Sequence, residues 1–415
     1  MSDVRVAEQS GVTRLWDWSR TRPWWVQVLA VYAAARLVTT IIFLWVASIQ
    51  GENAWTDPHP GYFPYVGLMF DASWYRQIAE HGYPSTLPVG PDGVVQQNAW
   101  AFFPLFPTMA RGLMEVTRLP WEVVAPTLAL VVGAVAVLLV YRTVAEGAPR
   151  AVLARPGLPL ATVALVSVFP TAAVLQTAYT EALALALIAA ALLTLIRRQY
   201  AWMAVVVLAL GFTRAVAMPM VVVVLVHALV RWRSQKASRD GFTWRTGVAL
   251  IALAGWCGLS GLVWPTVAGW VTGTPDAYVR TQEAWRGVAS VTPFYGWTYV
   301  PQFWFGDLAL AVVVAGAAVV VAVLVVPAAW RLGNELHTWA AAYVVYIAAV
   351  VEPGSSIARF LLLAYPLGAV TAGVVTRPAA GRRWWFAGVL LLMLGLQFLW
   401  VREMWQANAG PDWPP

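Results

Sequence analysis

Apolar residues along the chain are gathered into repeated long runs. The first covers about residues 24–49, and similar runs recur until about residue 400. A helix needs roughly 20 apolar residues to cross a bilayer, and its backbone groups must pair within the segment because lipid offers no partner. The pattern predicts an all-α, polytopic transmembrane protein of about eleven spans, placed at about residues 24–49, 121–140, 158–175, 179–196, two within 200–230, 246–271, 307–329, 336–351, 360–375 and 384–400.

Arginines in the short loops predict how these spans are oriented. Arg14, Arg20 and Arg22 precede the first span, and basic loops recur after every second span. Because cytoplasmic loops collect arginine and lysine, we expect the N-terminus inside and the C-terminus outside. Two long loops, 50–118 and 272–305, then lie outside, within a single domain that covers residues 1–415.

The first outer loop contains the polar and aromatic segment "MFDASWYRQIAEHGYP". If Asp71 begins a helix, Trp74, Tyr75 and Ile78 follow at the spacing that forms one face of that helix. We expect an interfacial helix that lies on the membrane with its aromatic face toward lipid.

Two further segments are read from prolines, glycines and charge. "AFFPLFPTMARGLMEV" is expected to lie on the membrane surface, because a span there would move the basic loop at 142–155 outside, against the charge rule. "GFTRA" is expected to be an outer hinge between two short helices within 200–230.

Composition supports the membrane interpretation. The chain is 60% hydrophobic and 11% charged, whereas a soluble domain has roughly 25% charged residues. Its net charge of +7 is explained by basic cytoplasmic loops, so no nucleic acid partner is expected. Alanine and valine dominate and Lys236 is the only lysine, which is typical of a GC-rich bacterial genome and favours a bacterial plasma membrane.

Motifs for several common cofactors are missing from the sequence. Cys257 is the only cysteine, and the four histidines are scattered, so neither a disulfide nor zinc-site spacing is present. There is also no GxxxxGK[ST] and no strand-borne GxGxxG for a soluble nucleotide. Any sugar donor must therefore arrive through the membrane plane.

Two carboxylates stand out on the predicted outer side. Asp71 is either the N-cap of its helix or a catalytic group at the membrane surface. Glu181 begins a predicted span in "FPTAAVLQTAYTEALAL". The helix dipole alone explains a carboxylate there, and a catalytic or acceptor-binding role is the alternative.

Outer arginines and aromatics suggest ligand contacts. Arg214 in "GFTRA" and Arg359 in "SSIARFLLLAYPLG" suit phosphate binding, although Arg214 could equally be a snorkelling anchor. Three residues of "VRTQEAWRGVASVTPFYGW" are candidates for sugar or headgroup binding: Gln282, Trp285 and Arg286. An interfacial aromatic belt is the simpler explanation for most single tryptophans.

Carboxylates and arginines at one membrane face fit transfer from a lipid-phosphate sugar. A carboxylate takes the proton of the acceptor hydroxyl, and arginines neutralise the leaving phosphate. A transporter or lipid flippase is the alternative, but it predicts inverted repeats and charged residues at midplane. No repeat is visible, and the polar residues collect on one side.

The motifs resemble those of the PIG-V-type mannosyltransferases of the GT-C superfamily, relatives of the second mannosyltransferase of GPI-anchor synthesis. Order and approximate spacing agree along nearly the whole chain. The first motif has Phe and Ala on either side of its aspartate, where the family often has Trp and Gly. The residues that carry the resemblance are Phe70–Tyr75, Ile78–Tyr83, Phe102–Pro107, Phe169–Thr171, Tyr179–Ala182, Thr213–Arg214 and Ser355–Phe360.

The resemblance implies a GT-C-like fold, a polyprenyl- or dolichyl-phosphate mannose donor, and inversion at the anomeric carbon. Asp71 matches the acidic residue of the first outer loop and becomes the expected general base. A bacterial acceptor would be another glycolipid, a glycan or a protein, and a divalent cation stays open. We expect Arg214, Arg359 and Arg76 to bind the donor phosphate, and the acceptor or sugar to contact Glu181, His81, Trp74, Tyr75, Gln282 and Trp285.

Overall fold

The computed structural model describes residues 22–235, 241–288 and 290–407. Arg14, Arg20 and Lys236 therefore lie outside the described residues. Within the described ranges the chain is all-α, as predicted, and the only β-structure is one isolated bridge between Val89 and Val95. The helices are α1 (Trp24–Ser48), α2 (Tyr62–Leu68), α3 (Asp71–His81), α4 (Leu105–Thr117), α5 (Trp121–Gly147), α6 (Pro149–Ala154), α7 (Leu158–Ser167), α8 (Glu181–Ile196), α9 (Tyr200–Gly211), α10 (Pro219–Ser234), α11 (Trp244–Thr272), α12 (Ala277–Arg286), α13 (Val300–Phe305), α14 (Ala309–Val325), α15 (Pro327–Trp330), α16 (Asn334–Val350), α17 (Ile357–Leu361), α18 (Pro366–Gly373) and α19 (Ala379–Trp400).

Five helical segments of the described residues are long and apolar enough to cross a bilayer by length and composition. The count of eleven spans is not confirmed, because several predicted spans are formed by shorter helices. Helix α8, for example, has 16 residues, which is about 24 Å against a hydrocarbon core of about 30 Å. The five segments are Trp24–Ser48, Trp121–Gly147, Trp244–Thr272, Tyr295–Val325 and Ala379–Trp405.

Prolines and glycines explain where the shorter helices end. Helix α9 ends at Gly211 and α10 begins at Pro219, so the predicted hinge is present in the structure. Proline is favoured at the first position of a helix, where its missing N–H is not needed. The predicted span at 360–375 is likewise divided, since α18 begins at Pro366.

A buried arginine stabilises another break. Helix α7 ends at Ser167, and a 3-10 turn covers Ala172–Gln176. Arg36 of α1 is buried and donates hydrogen bonds to the carbonyl oxygens of Ser167 and Ala172. The Ser167 carbonyl lies in the last turn of α7, where the helix supplies no backbone partner, and the Ala172 carbonyl begins the 3-10 turn. A full helical span over 158–175 therefore does not form.

The interior of the molecule is built around α5 and α8. Twelve of the sixteen residues of α8 are buried, so this helix is surrounded by protein. Helix α14 is the opposite case, because Ala309 is its only buried residue. A helix that is apolar all round and exposed in this way suits a lipid-facing position.

The long loop at residues 50–118 folds over the helices. Helix α3 begins at Asp71, as expected. Its aromatic face packs against protein, however: Tyr75 is buried with its ring 5.2 Å from that of Phe102 and 6.0 Å from that of Phe106. The prediction of a lipid-facing stripe was wrong, because these later residues of the loop supply an aromatic partner. Helix α4 keeps exposed apolar residues, as a surface-lying helix would: Met109, Leu113 and Val116.

Candidate functional site

Four polar side chains from separate parts of the sequence meet at one end of the helices. They are carried by the first turn of α3, the first turn of α8, the segment between α9 and α10, and α17. A cavity of about 580 Å³ opens beside them. The four residues are Asp71, Glu181, Arg214 and Arg359.

Asp71 is held by a tight turn. The preceding residue, Phe70, has φ 52°, a left-handed conformation that is rare for a bulky residue and costs on the order of 1–3 kcal/mol. The Phe70 side chain is buried against Trp55 and Trp405, with ring centroids 4.7 and 5.9 Å away. This packing stabilises the turn. The Asp71 backbone N–H then donates to the Tyr179 hydroxyl at 3.3 Å.

The four charged groups form a continuous chain of ion pairs. The Nη2 atom of Arg359 lies 2.6 Å from Asp71 Oδ2, and the Nε atom of Arg359 lies 3.6 Å from Glu181 Oε1. Arg214 Nη1 lies 2.9 Å from the same Glu181 oxygen. Glu181 is thus shared between two arginines, and Arg359 is shared between two carboxylates. The chain carries two positive and two negative charges.

Burial makes these pairs depend on one another. Glu181 is completely buried, and its Oε2 has no hydrogen-bond partner among the described residues. Burial disfavours the charge on Arg359, but attraction to Asp71 and Glu181 more than offsets it, so the pKa of Arg359 is raised. Both guanidinium groups also lie over the Phe360 ring, at 4.2 Å for Arg214 and 5.2 Å for Arg359. Such cation–π contacts add to the attraction.

The opposite wall of the cavity combines aromatic and polar groups. It includes Gln282 and Trp285 of α12, and Glu352 between α16 and α17. Trp285 donates its indole N–H to the Asn98 carbonyl at 3.1 Å. The Tyr299 hydroxyl donates to Glu352 Oε1 at 2.5 Å. A cavity with apolar walls and a few oriented polar groups is the usual form of a small-molecule site.

The structure divides the predicted site residues into three groups. Six line the cavity: Asp71, Tyr75, Arg214, Gln282, Trp285 and Arg359. Two lie behind its wall, Glu181 in the ion-pair chain and Trp74 stacked on Phe102 at 5.8 Å.

Arg76 and His81 form the third group, because neither lines the cavity. Arg76 pairs with Glu80 at 2.8 Å and with Glu122 at 3.2 Å. The pair with Glu122 connects α3 to α5, which gives Arg76 a structural role. His81 ends α3 and is exposed.

Glu352 was missed at the sequence level. It stands in "EPGSSIAR", which was treated only as a turn between two spans. Its position next to Arg359 in the same outer segment was the available signal. Arg286, which the sequence had suggested as a sugar or headgroup contact, lines the cavity from the end of α12 and donates to the Val350 carbonyl at 2.9 Å.

The residues at this site do not fit a divalent cation. Within the described parts of the chain no group of three or more His, Cys, Asp or Glu could hold a metal ion. Asp71 Oδ2 and Glu181 Oε1 each contact an arginine, and these two guanidinium charges neutralise the two carboxylates from which Mg²⁺ or Ca²⁺ would be coordinated. We therefore derive no step through a metal.

Comparison with protein-family models and with curated proteins gives no match. Among solved structures, the chain is similar to the Archaeoglobus fulgidus oligosaccharyltransferase tethered with an acceptor peptide, with 14% identity over 92% of this chain and 56% of that chain, at a TM-score of 0.46. It is also similar to the archaeal oligosaccharyltransferase AglB from Archaeoglobus fulgidus in complex with an inhibitory peptide and a dolichol-phosphate, with 13% identity over 94% of this chain and 57% of that chain, at a TM-score of 0.44. The chain thus spans little more than half of those proteins. Likeness at this level does not establish a shared activity.

Proposed function

We propose that the cavity is the active site of an integral-membrane glycosyltransferase of the GT-C type. It transfers a sugar, mannose by the motif resemblance, from a polyprenyl-phosphate donor to a hydroxyl of a glycolipid, glycan or protein. One observation carries the proposal: two carboxylates and two arginines, from four separate segments, form one ion-pair chain on the wall of an aromatic cavity. The predicted side is the extracytoplasmic face of a bacterial plasma membrane.

In the proposed reaction Asp71 acts as the general base. It accepts the proton of the acceptor hydroxyl while that oxygen attacks the anomeric carbon. The bond between the anomeric carbon and the phosphate oxygen breaks, and polyprenyl phosphate leaves with the electron pair. Attack from the face opposite the phosphate inverts the anomeric centre.

Arg359 and Arg214 bind the donor phosphate in this account. Arginine suits the role, because its planar guanidinium contacts two phosphate oxygens at once. In the structure Arg359 Nη2 lies 2.6 Å from Asp71 Oδ2. Arg359 and an acceptor hydroxyl therefore compete for the Asp71 carboxylate. Donor phosphate draws Arg359 toward itself and makes Asp71 available to the acceptor. The donor is therefore expected to bind first.

Glu181 is proposed as a positioning residue rather than as an acceptor ligand. It is completely buried and touches both arginines. Its charge keeps the two guanidinium groups side by side before the donor arrives. Tyr75, Gln282 and Trp285 line the cavity and are the candidates for contact with the sugar and the acceptor.

The test is a transfer assay with the purified full chain. Polyprenyl-phosphate mannose and candidate lipid acceptors are offered together, and products are identified by mass spectrometry. The proposal expects a mannosylated acceptor with inverted anomeric configuration and released polyprenyl phosphate. Movement of a labelled lipid across vesicles without any glycosylated product would instead support a transporter or flippase.

A further inference from the structure

Three arginines form a second charged cluster far from the cavity. Arg359 lies in α17, and the chain then runs away from the active-site cavity along α18, from Pro366 to Gly373. There a narrow cleft is lined by Arg155, Arg331 and Thr376. Arg382 joins them, with its guanidinium 3.5 Å from the Thr376 carbonyl oxygen.

No carboxylate among the described residues pairs with these three arginines. The nearby acidic groups are already engaged, Glu146 with Arg142 and Arg197, and Glu335 with His227. A concentration of positive charge without a counter-ion is unfavourable unless an anion or water compensates it.

Arg155 shows that the compensation is incomplete. The residue is buried, with 7% of its surface exposed, and its Nη1 has no hydrogen-bond partner among the described residues. Its guanidinium lies 5.2 Å from the centroid of the Phe386 ring. Burial, and then repulsion from Arg382, lowers the pKa of Arg155. A buried unpaired donor of this kind calls for a partner that the protein itself does not supply.

Exposed tryptophans beside the cluster favour a position at the depth of lipid headgroups. Trp330 precedes Arg331 and is 65% exposed, and Trp384 follows Arg382 closely and is 80% exposed. Tryptophan collects at the boundary between hydrocarbon and headgroups. The cleft itself holds only about 10 Å³, about one water, so an anion can cap its mouth but not enter it.

We propose that Arg155, Arg331 and Arg382 bind the phosphate of an anionic phospholipid, at the membrane face opposite the active-site cavity. Its phosphate oxygens accept hydrogen bonds from the three guanidinium groups, including the orphaned Nη1 of Arg155. Its acyl chains lie along the apolar surface of α19. Basic pockets between transmembrane helices are known to select anionic headgroups in this way.

Titration of the full-length protein with dioleoyl phosphatidylglycerol, followed by native mass spectrometry, tests the proposal. Dioleoyl phosphatidylcholine, with the same chains, is the neutral control. We expect Arg331→Gln and Arg382→Gln each to weaken the tightest phosphatidylglycerol binding about fivefold. The matched controls are Arg150→Gln and Arg383→Gln, exposed arginines beside the cluster, which should leave that binding unchanged.

Several results would overturn the proposal. Unchanged phosphatidylglycerol binding in both cluster variants, with melting temperatures like that of the wild type, would remove the cluster as a site. Equal binding of phosphatidylcholine would show that the cluster does not distinguish an anionic headgroup from a neutral one. Displacement of the bound lipid by low-millimolar inorganic phosphate would reassign the cluster to a soluble oxyanion, whereas retention of the lipid supports the lipid assignment.

Discussion

Replacing Glu181 by glutamine tests whether this residue holds the two arginines together. Glutamine keeps the shape of the side chain but removes its charge. Arg214 then loses the only carboxylate that pairs with it among the described residues, whereas Arg359 keeps Asp71. The side chains of Arg214 and Arg359 are only 14% and 8% exposed, so water replaces little of the lost attraction.

The expected cost is large for one substitution. Removing one partner of a buried ion pair costs about 3–5 kcal/mol, because the other charge stays buried without compensation. Glu181 has no exposure at all, and Arg214 reaches the cavity, where some water can solvate it. We therefore expect about 3 kcal/mol, the lower end of that range.

Thermal unfolding of the detergent-solubilised protein measures this effect. The matched control is Glu115→Gln, which breaks an ion pair between Glu115 and Arg111. The Arg111 side chain is 55% exposed and the Glu115 side chain 65% exposed. Such an exposed pair contributes little, so the control should melt like the wild type. The double variant Glu181→Gln/Arg214→Gln should regain part of the lost stability, because it removes the stranded charge as well. A Glu181→Gln protein as stable as the wild type would refute the reasoning.

Three further predictions follow from single contacts. Arg359→Lys keeps the charge but loses the planar fork, so the initial rate of transfer should fall at least tenfold, but by less than the roughly 10²–10³-fold that complete loss of one charge-stabilising donor costs. Gly211→Ala should lower the melting temperature, at a cost of about 1–3 kcal/mol, because a Cβ there would lie 2.1 Å from the Ser260 carbonyl oxygen. Gly255→Ala in α11, with nothing within 4 Å of the added carbon, is its control. Arg76→Gln should leave the transfer rate unchanged in the same assay, because Arg76 does not line the cavity.

The all-α architecture was readable from the sequence because lipid permits so few backbone solutions. Long apolar runs with basic flanks are sufficient to predict α1, α5 and α11. The lengths of the remaining helices were not readable in the same way. Residues 158–175 contain no charged residue, yet the helix ends at Ser167, where Arg36, far away in the sequence, hydrogen-bonds the carbonyls of Ser167 and Ala172.

The candidate site was predictable at the positions where an ionised side chain stands in surroundings that disfavour charge. Asp71, Arg214 and Arg359 stand in otherwise apolar or aromatic surroundings, and an ionisable group there needs a partner or a function. Which partner each one takes is a tertiary fact. Nothing in the local pattern shows that Arg76 bonds Glu122 while Arg359 bonds Asp71.

The aromatic face of α3 shows the same limit. Its spacing was correct, but a helical stripe does not say whether lipid or protein covers it. Here Phe102 and Phe106 cover it, and the helix therefore forms part of the cavity wall instead of a membrane anchor.

The central claim is that Asp71 is the base of a sugar transfer from a lipid phosphate. The most direct measurement is the rate of mannosyl product formation by Asp71→Asn and by the wild type, at saturating polyprenyl-phosphate mannose. Asparagine keeps the size of the side chain but cannot accept the proton, so the rate should fall about 10²–10⁴-fold. Because Arg359 also loses the charge of its 2.6 Å partner, both rates are measured well below the melting temperature of the variant. Product formation by Asp71→Asn at the wild-type rate would contradict the account.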